Sequence, residues 1–462
     1  MKADYYQEQF IKIIQNSPRK YKQEFQQELW PALLDSSVRY HGRPVKFVYT
    51  PYLISFAQWK FYRDFIDTFL NILNKTINEF LVNPAFRDRF PFSEKMNNYI
   101  LMEPGYKGHF PIARFDILFD REGNIKFCEL NTDGTSAMNE VRVMQEILGS
   151  SDAAKSLRKK ENISFYGFEL FNSWINILLD KYREFSGKKR VNPTIAIVDF
   201  KSEGVVSEFK EFKKHMESWG LEAYVVDPQE LCYNGNVLKY NDIIIDLIYR
   251  RATTSSLFNN FDKAEDLFSA YKEKSVCVCG GFRSQVIHNK AIFHVLHRAE
   301  DLEFLTGDEQ NFLNKYILPT GILEDTPEII KKLQSNKNDY ILKPCDMFAG
   351  KGIKLGKNCA DKEWVQHLNQ CCGEDYLYQR FCQPDTIDLF TIDENKDTEP
   401  AFVPYNFTLG FYVYDEKMTG LYNRAGRYDI IGSDYECVTV PSFVTVPQNN
   451  AAVDLKEEVK YE

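Results

Sequence analysis

Apolar and polar positions alternate through residues 114–131 as a two-stranded hairpin requires. Phe115, Ile117 and Phe119 mark one strand, and Ile125 and Phe127 mark the other. Glu122-Gly123 supplies the turn, where glycine tolerates a positive φ. With Arg121 opposite Asn124, Asp116 falls opposite Glu129 and Arg114 opposite Asn131. Side chains repeat every second residue along a strand, so these four polar groups share one face.

Elsewhere the period changes. Residues 1–95 read as helical. Ser55-Phe-Ala-Gln58 has capping-box form, and Phe61, Phe65, Phe69, Leu70, Leu73, Ile77 and Phe80 follow at helical spacing. Helices are also expected over 139–148 and 168–182, with a charged connector at 155–161 between them. From Pro193 the pattern becomes strand (194–199), helix (207–219), strand (221–227) and strand (242–251). That alternation predicts a small parallel, Rossmann-like sheet with right-handed crossovers. No G-x-G-x-x-G follows its first strand, so a dinucleotide site is not expected there. Arg250 and Arg251 end the third strand, where ligands of such sheets lie; they suit a substrate carboxylate, or are a solvated pair.

Further on, a strand-like run passes into a helix at His288-Asn289-Lys290. Residues 339–344 form a strand that carries Lys343, followed by the loop Ala349-Gly350-Lys351-Gly352-Ile353 and a return strand. Glycines let backbone approach phosphates closely, and lysine adds a point charge, although the G-x-x-x-x-G-K-[ST] spacing of a P-loop is missing. Strands are expected at 376–381, 406–414 and 420–427, and the polar stretch from Asn449 is expected to fray.

Composition narrows the classes. Hydrophobic residues at 44% and charged residues at 27% are ordinary for a globular chain, and 462 residues allow two or three domains. A net charge of −9 argues against nucleic acid or an anionic membrane as the main partner and is compatible with a cationic substrate such as a polyamine. No apolar run approaches membrane-spanning length and no apolar signal core opens the chain, so a cytoplasmic protein with reduced thiols is expected. Cys277-Val-Cys279 and Cys371-Cys372 are not spaced like zinc ligands, and no histidine completes a set with them. The cysteines read as small hydrophobes rather than catalysts.

Two carboxylates opposed on a sheet repel unless a cation sits between them. Asp116, Glu129 and Asn131 are hard oxygen ligands of the kind Mg²⁺ takes when substrate phosphates complete its shell. The hairpin therefore suggests a metal–phosphate site. It also reads as a plain polar face on which Arg114 neutralises Asp116.

Arg114-x-Asp116, then Glu129-x-Asn131, then the turn Thr132-Asp133-Gly134-Thr135-Ser136, resembles the ATP-grasp synthetase of glutathionylspermidine synthase. The resemblance extends over residues 96–435 as scattered motifs. Its order, with metal ligands before lysines, is the permuted order of that group rather than the usual ATP-grasp order. It implies that Asp116, Glu129 and Asn131 hold Mg²⁺ and that Arg114 and Arg424 lie beside a reacting acyl phosphate. It implies that Lys290, Lys343, Gly350, Lys351 and Gly352 grip ATP, and that the hinge strand with Tyr378 and Gln379 reads the nucleoside. Asp133, Ser136, Arg250 and Arg251 are the expected substrate contacts. The bifunctional form of that family carries an amidase with a Cys nucleophile; no cysteine precedes Cys128, so such a domain is not expected.

The expected architecture is mixed α+β and α/β: a helical N-terminal segment (1–95), the metal-binding part of a permuted ATP-grasp domain (96–190), a pre-ATP-grasp α/β unit (191–275), the lysine, loop and hinge subdomains (276–445), and a tail (446–462). The expected activity is ATP- and Mg²⁺-dependent ligation of a small-molecule or peptide carboxylate to an amine. Glutathione and spermidine are the pair the resemblance suggests. Two other classes stay open: a non-catalytic nucleotide- or peptide-binding protein on the same fold, and a hydrolase using Asp116 and Glu129, whose Cβ atoms would lie ~5 Å apart. The hydrolase leaves the lysine–glycine loop unexplained.

Overall fold

Ser55 starts its helix as the capping box requires. Its hydroxyl accepts from the Gln58 amide, and the Gln58 side chain accepts from the Ser55 amide. The helix, α1 (Phe56–Val82), runs 27 residues. Phe65, Phe69, Leu70, Leu73, Ile77 and Phe80 face the core, whereas Phe61 turns outward and is 52% exposed. The computed structural model describes residues 5–187, 192–347, 350–392, 399–432 and 436–448; the tail expected to fray from Asn449, and Ala349 of the expected loop, lie outside them.

The hairpin consists of β1 (Ile112–Phe119) and β2 (Ile125–Asn131). Phe127 stacks on Phe69 with ring centroids 3.9 Å apart, which ties the hairpin to α1. The register holds where it matters: Asp116 pairs with Glu129 and Arg114 with Asn131. Near the turn it differs by one residue. Phe119 pairs with Ile125, and the Asp120 amide donates to the Asn124 carbonyl, so Arg121 is not opposite Asn124. A β-bulge that leaves Cys128 unpaired restores the expected pairing at Asp116.

The stretch 155–161, expected as a connector, is part of a helix, Asp152–Glu161. The parallel unit contains β3 (Ile195–Val198), β4 (Ala223–Val226), β5 (Leu247–Arg250) and an unexpected fourth strand, β6 (Cys277–Cys279). All pairs are parallel, in the order β6-β5-β3-β4. The strand expected over 242–251 breaks because the Asp246 carboxylate accepts from the Thr194 amide, and Ile243–Ile244 joins a small antiparallel sheet instead.

A second, antiparallel sheet contains β7 (Thr320–Ile322), β8 (Tyr340–Pro344), β9 (Lys354–Leu355) and β10 (Tyr376–Arg380), in the order β7-β10-β8-β9. The chain then returns to the hairpin. Strand β11 (Ala401–Tyr414) inserts between β1 and β12 (Lys417–Gly426), with β13 (Cys437–Val440) beyond, giving the antiparallel order β13-β12-β11-β1-β2. The segment 1–95, expected as helical, also supplies strands; Tyr52–Ser55 lies parallel to Ser442–Pro447. The fold is thus mixed α/β with several sheets, and no helix among the described residues is long and apolar enough to cross a membrane.

Candidate active site

Strand β11 sets Gly410 directly opposite Asp116 on one side and Tyr422 on the other. A glycine in mid-strand weakens packing unless other groups need the space. Here they do: a Cβ at Gly410 would meet Asp116 Oδ1 at 2.9 Å and Arg114 Cδ at 3.1 Å. Arg424, on the far strand, reaches across this gap, and its Nη2 donates to Asp116 Oδ2 at 2.7 Å. Arg114 donates to the same carboxylate through Nε (2.8 Å) and Nη2 (3.2 Å), and Asn131 Nδ2 donates to it at 3.3 Å. Asp116 is therefore a buried hub for two guanidiniums and one amide.

Glu129 is held by a different cation, with Lys290 Nζ 2.8 Å from its Oε1. Burial pushes the Glu129 carboxyl up, but Lys290, then Arg424 and Lys343, outweigh it and bring it down to about 2. Lys290 was expected where a strand enters a helix; it sits instead between two helices, Gln285–His288 and Ala291–His297, and also donates to the Met347 carbonyl. Lys343 projects from β8. It donates to Gln379 Oε1 at 2.8 Å and lies 3.5 Å from the carbonyl of the bulged residue Cys128. Gln379 Nε2 donates in turn to Thr320 Oγ1 at 2.9 Å, so three neighbouring strands fix the Lys343 ammonium.

Arg114, Asp116, Glu129, Asn131, Lys290, Lys343, Gln379 and Arg424 line one cleft of about 340 Å³, together with Gly350, Lys351, Arg380 and Phe381. Gly350 and Gly352 take φ of 78° and 73°, a region that favours glycine. Tyr378 does not reach the cleft. Period-two alternation on β10 turns Gln379 inward and Tyr378 to the opposite face, where its ring packs edge-on against Tyr340. Any contribution of Tyr378 to nucleoside reading would therefore come from its backbone and not from its side chain.

The carboxyl ends of β3 and β5 meet the same cleft. Between these strands the sheet order reverses, the position where open parallel sheets bind ligands. Arg251 lines the cleft there; its guanidinium donates to the Thr135 carbonyl and lies 3.7 Å from Glu208. Arg250 is turned inward. Asp133 accepts from both its Nη atoms (3.2 and 2.6 Å), and Thr254, Ser284 and backbone carbonyls take the rest of its donors. Arg250 and the Asp133 carboxylate, both expected to touch substrate, instead brace the 132–136 turn against the parallel unit. Ser136 lines the cleft, and its carbonyl accepts from Arg114 and Tyr412.

Sequence reasoning missed Asp199 and Glu203, which line the cleft just after β3. Their signal was available, since Asp199 is the last residue of the strand predicted over 194–199, at the binding end of the sheet. Burial pushes the Asp199 carboxyl up to about 7 against the pull of Arg251.

No protein-family model matches the chain, and no curated protein matches it, so the likeness to glutathionylspermidine synthase remains one of motifs. Among solved structures, the chain is similar to the crystal structure of D-cycloserine synthetase DcsG at 9% sequence identity; the match covers 54% of this chain and 92% of that one, with a TM-score of 0.27. At that score the likeness carries no argument.

Proposed function

We propose that the protein is an ATP- and Mg²⁺-dependent ligase that joins a carboxylate to an amine through an acyl phosphate, on a permuted ATP-grasp fold of the glutathionylspermidine synthase type. One observation carries this reading. Arg114, Arg424, Lys290 and Lys343 converge with Asp116, Glu129 and Asn131 in one cleft, beside a glycine-bearing loop. Four cationic side chains against two carboxylates favour a polyanionic ligand.

The donor set fits Mg²⁺ delivered with phosphates better than a bare ion. Both Asp116 oxygens and Glu129 Oε1 already face cations. A triphosphate would draw the lysines and arginines to itself and free those oxygens for the metal. Bound Mg²⁺ supplies charge neutralisation on the transferring phosphoryl group. Lys290 and Lys343 would neutralise phosphate oxygens, and Arg114 and Arg424 would face the acyl phosphate. Gly350, Lys351 and Gly352 would close over the nucleotide and exclude water, protecting the acyl phosphate from hydrolysis. In this reading residues 96–190 and 276–445 form the catalytic unit and 191–275 the substrate-side unit. Asp199 and Glu203 suit an ammonium group, which favours an amine, a polyamine among the candidates, at that end.

The hydrolase reading needs a protonated acid at neutral pH, and the Lys290 partnership of Glu129 argues against it. Phosphate release from ATP, measured with Mg²⁺ and panels of carboxylates and amines and followed by mass spectrometry of the products, tests the proposal. The ligase requires both substrates and yields an amide. A pure binder binds nucleotide without turnover, and a hydrolase acts without ATP.

A further inference from the structure

We propose that Cys359, Glu363 and His367 form a binding site for a borderline-soft divalent cation of the zinc class, outside the ATP cleft. Glu363 and His367 stand one turn apart on α2 (Asp361–Cys371) and share a face, and Cys359 comes beside them from the extended segment that leads into the helix. One ligand atom from each lies within 4.8 Å of the others, the only such group of His, Cys, Asp and Glu among the described residues. Thiolate, imidazole and carboxylate are the ligands Zn²⁺ takes, and three of them leave a fourth tetrahedral position for water.

The ordinary roles of these side chains leave donors over. Glu363 is the N3 residue of the helix's cap, but only its Oε2 accepts from the Ala360 amide, at 3.3 Å. Its Oε1 lies 3.6 Å from His367 Nε2, beyond hydrogen-bond distance. His367 Nδ1 is buried with no hydrogen-bond partner among the described residues. Cys359 Sγ donates only to the Leu355 carbonyl, at 3.3 Å. The Glu363 side chain is 54% exposed, which gives an ion an entry path, while that of His367 is 17% exposed. Binding would convert the Cys359 thiol to a metal thiolate and release one proton to solvent.

The position gives the site a use. Cys359 ends the turn after β9, the strand returning from the Gly350–Gly352 region, so a bound ion would staple that turn to α2 and brace the base of the loop. The expectation that Cys277/Cys279 and Cys371/Cys372 are not spaced like zinc ligands does not bear on this set, in which Cys359 stands alone and a carboxylate replaces a second cysteine.

The test uses the full chain, freed of metal with a chelator and titrated with Co²⁺ as a spectroscopic probe and with Zn²⁺ by equilibrium dialysis. The expected result is one ion per chain with a thiolate-to-cobalt charge-transfer band. Cys359→Ser abolishes the band, and His367→Gln weakens binding by at least about tenfold. Glu363→Gln keeps the cap, because Gln also serves at N3, yet weakens binding, so a folding defect cannot imitate the effect. Absence of the band in the wild-type chain, or an unchanged band and affinity in Cys359→Ser, would overturn the proposal.

Discussion

Asp116 and Glu129 face each other across neighbouring strands, and each is held by its own cation: Asp116 by Arg424 at 2.7 Å and Glu129 by Lys290 at 2.8 Å. Two opposed carboxylates are tolerated because each has its own cation, one from the returning strand β12 and one from the helical lysine junction. Asp116 is the more central of the two. Its removal leaves buried Arg114 and half-buried Arg424 without their ion-pair partner, and breaking such a group costs about 3–5 kcal/mol. Arg424→Ala leaves Asp116 still paired with Arg114, so about 1–3 kcal/mol is expected. Chemical denaturation reads both, and equal losses would contradict the hub.

Gly410 leaves the space in which that hub forms. In Gly410→Ala the new methyl group meets the Tyr422 carbonyl at 2.7 Å as well as Asp116 Oδ1, and neither neighbour is a flexible chain end. A destabilisation of about 1–3 kcal/mol is expected, together with loss of ATP turnover. Wild-type turnover in this variant would show that the Arg424–Asp116 contact is dispensable.

Gln379 holds Lys343 through a neutral hydrogen bond that a phosphate can displace. Gln379→Glu would replace it with a buried ion pair. ATP affinity should therefore fall further in Gln379→Glu than in Gln379→Ala, at least about tenfold below wild type. The reverse order, read by nucleotide titration, would place Lys343 outside the phosphate site.

The pH dependence has a definite sign. Burial holds the Asp199 carboxyl at about 7, and burial likewise raises Glu140 to about 7 although Tyr422 and Thr439 donate to it. A carboxyl raised in the folded state binds protons more tightly folded than unfolded. Its contribution is complete below the unfolded value of about 4 and is lost as pH rises through about 7. Glu129, held at about 2, acts oppositely and loses its contribution only in acid. Between about pH 5 and 8 the thermal midpoint of the wild type should fall, and that of Asp199→Asn should fall less. Parallel curves would remove Asp199 from the account.

Much of the hairpin was legible in the sequence, but partly by cancellation. The assumed turn was off by one residue, and the bulge at Cys128 compensated before Asp116. No alternation pattern announces a bulge. The same bulge puts the Cys128 carbonyl near Lys343, a long-range contact invisible to local spacing. Strand β6 was missed because three residues are too few to show a period. The Tyr378–Gln379 strand was found, but which face meets the cleft depends on the packing of α2 behind it, where Trp364 and Leu368 are buried beside Tyr378. Arg250 and Arg251 were placed at the right strand end; only tertiary structure shows that one turns inward to Asp133.

The central claim is that the hairpin carboxylates and the two lysines together hold a metal-complexed triphosphate. Calorimetric titration with a non-hydrolysable ATP analogue, with and without Mg²⁺, tests it most directly. The expected result is saturable binding that weakens at least about tenfold without the ion and in Lys343→Ala, and that loses its Mg²⁺ dependence in Glu129→Gln. Binding as tight without Mg²⁺ as with it, or unaltered in Lys343→Ala, would contradict the account.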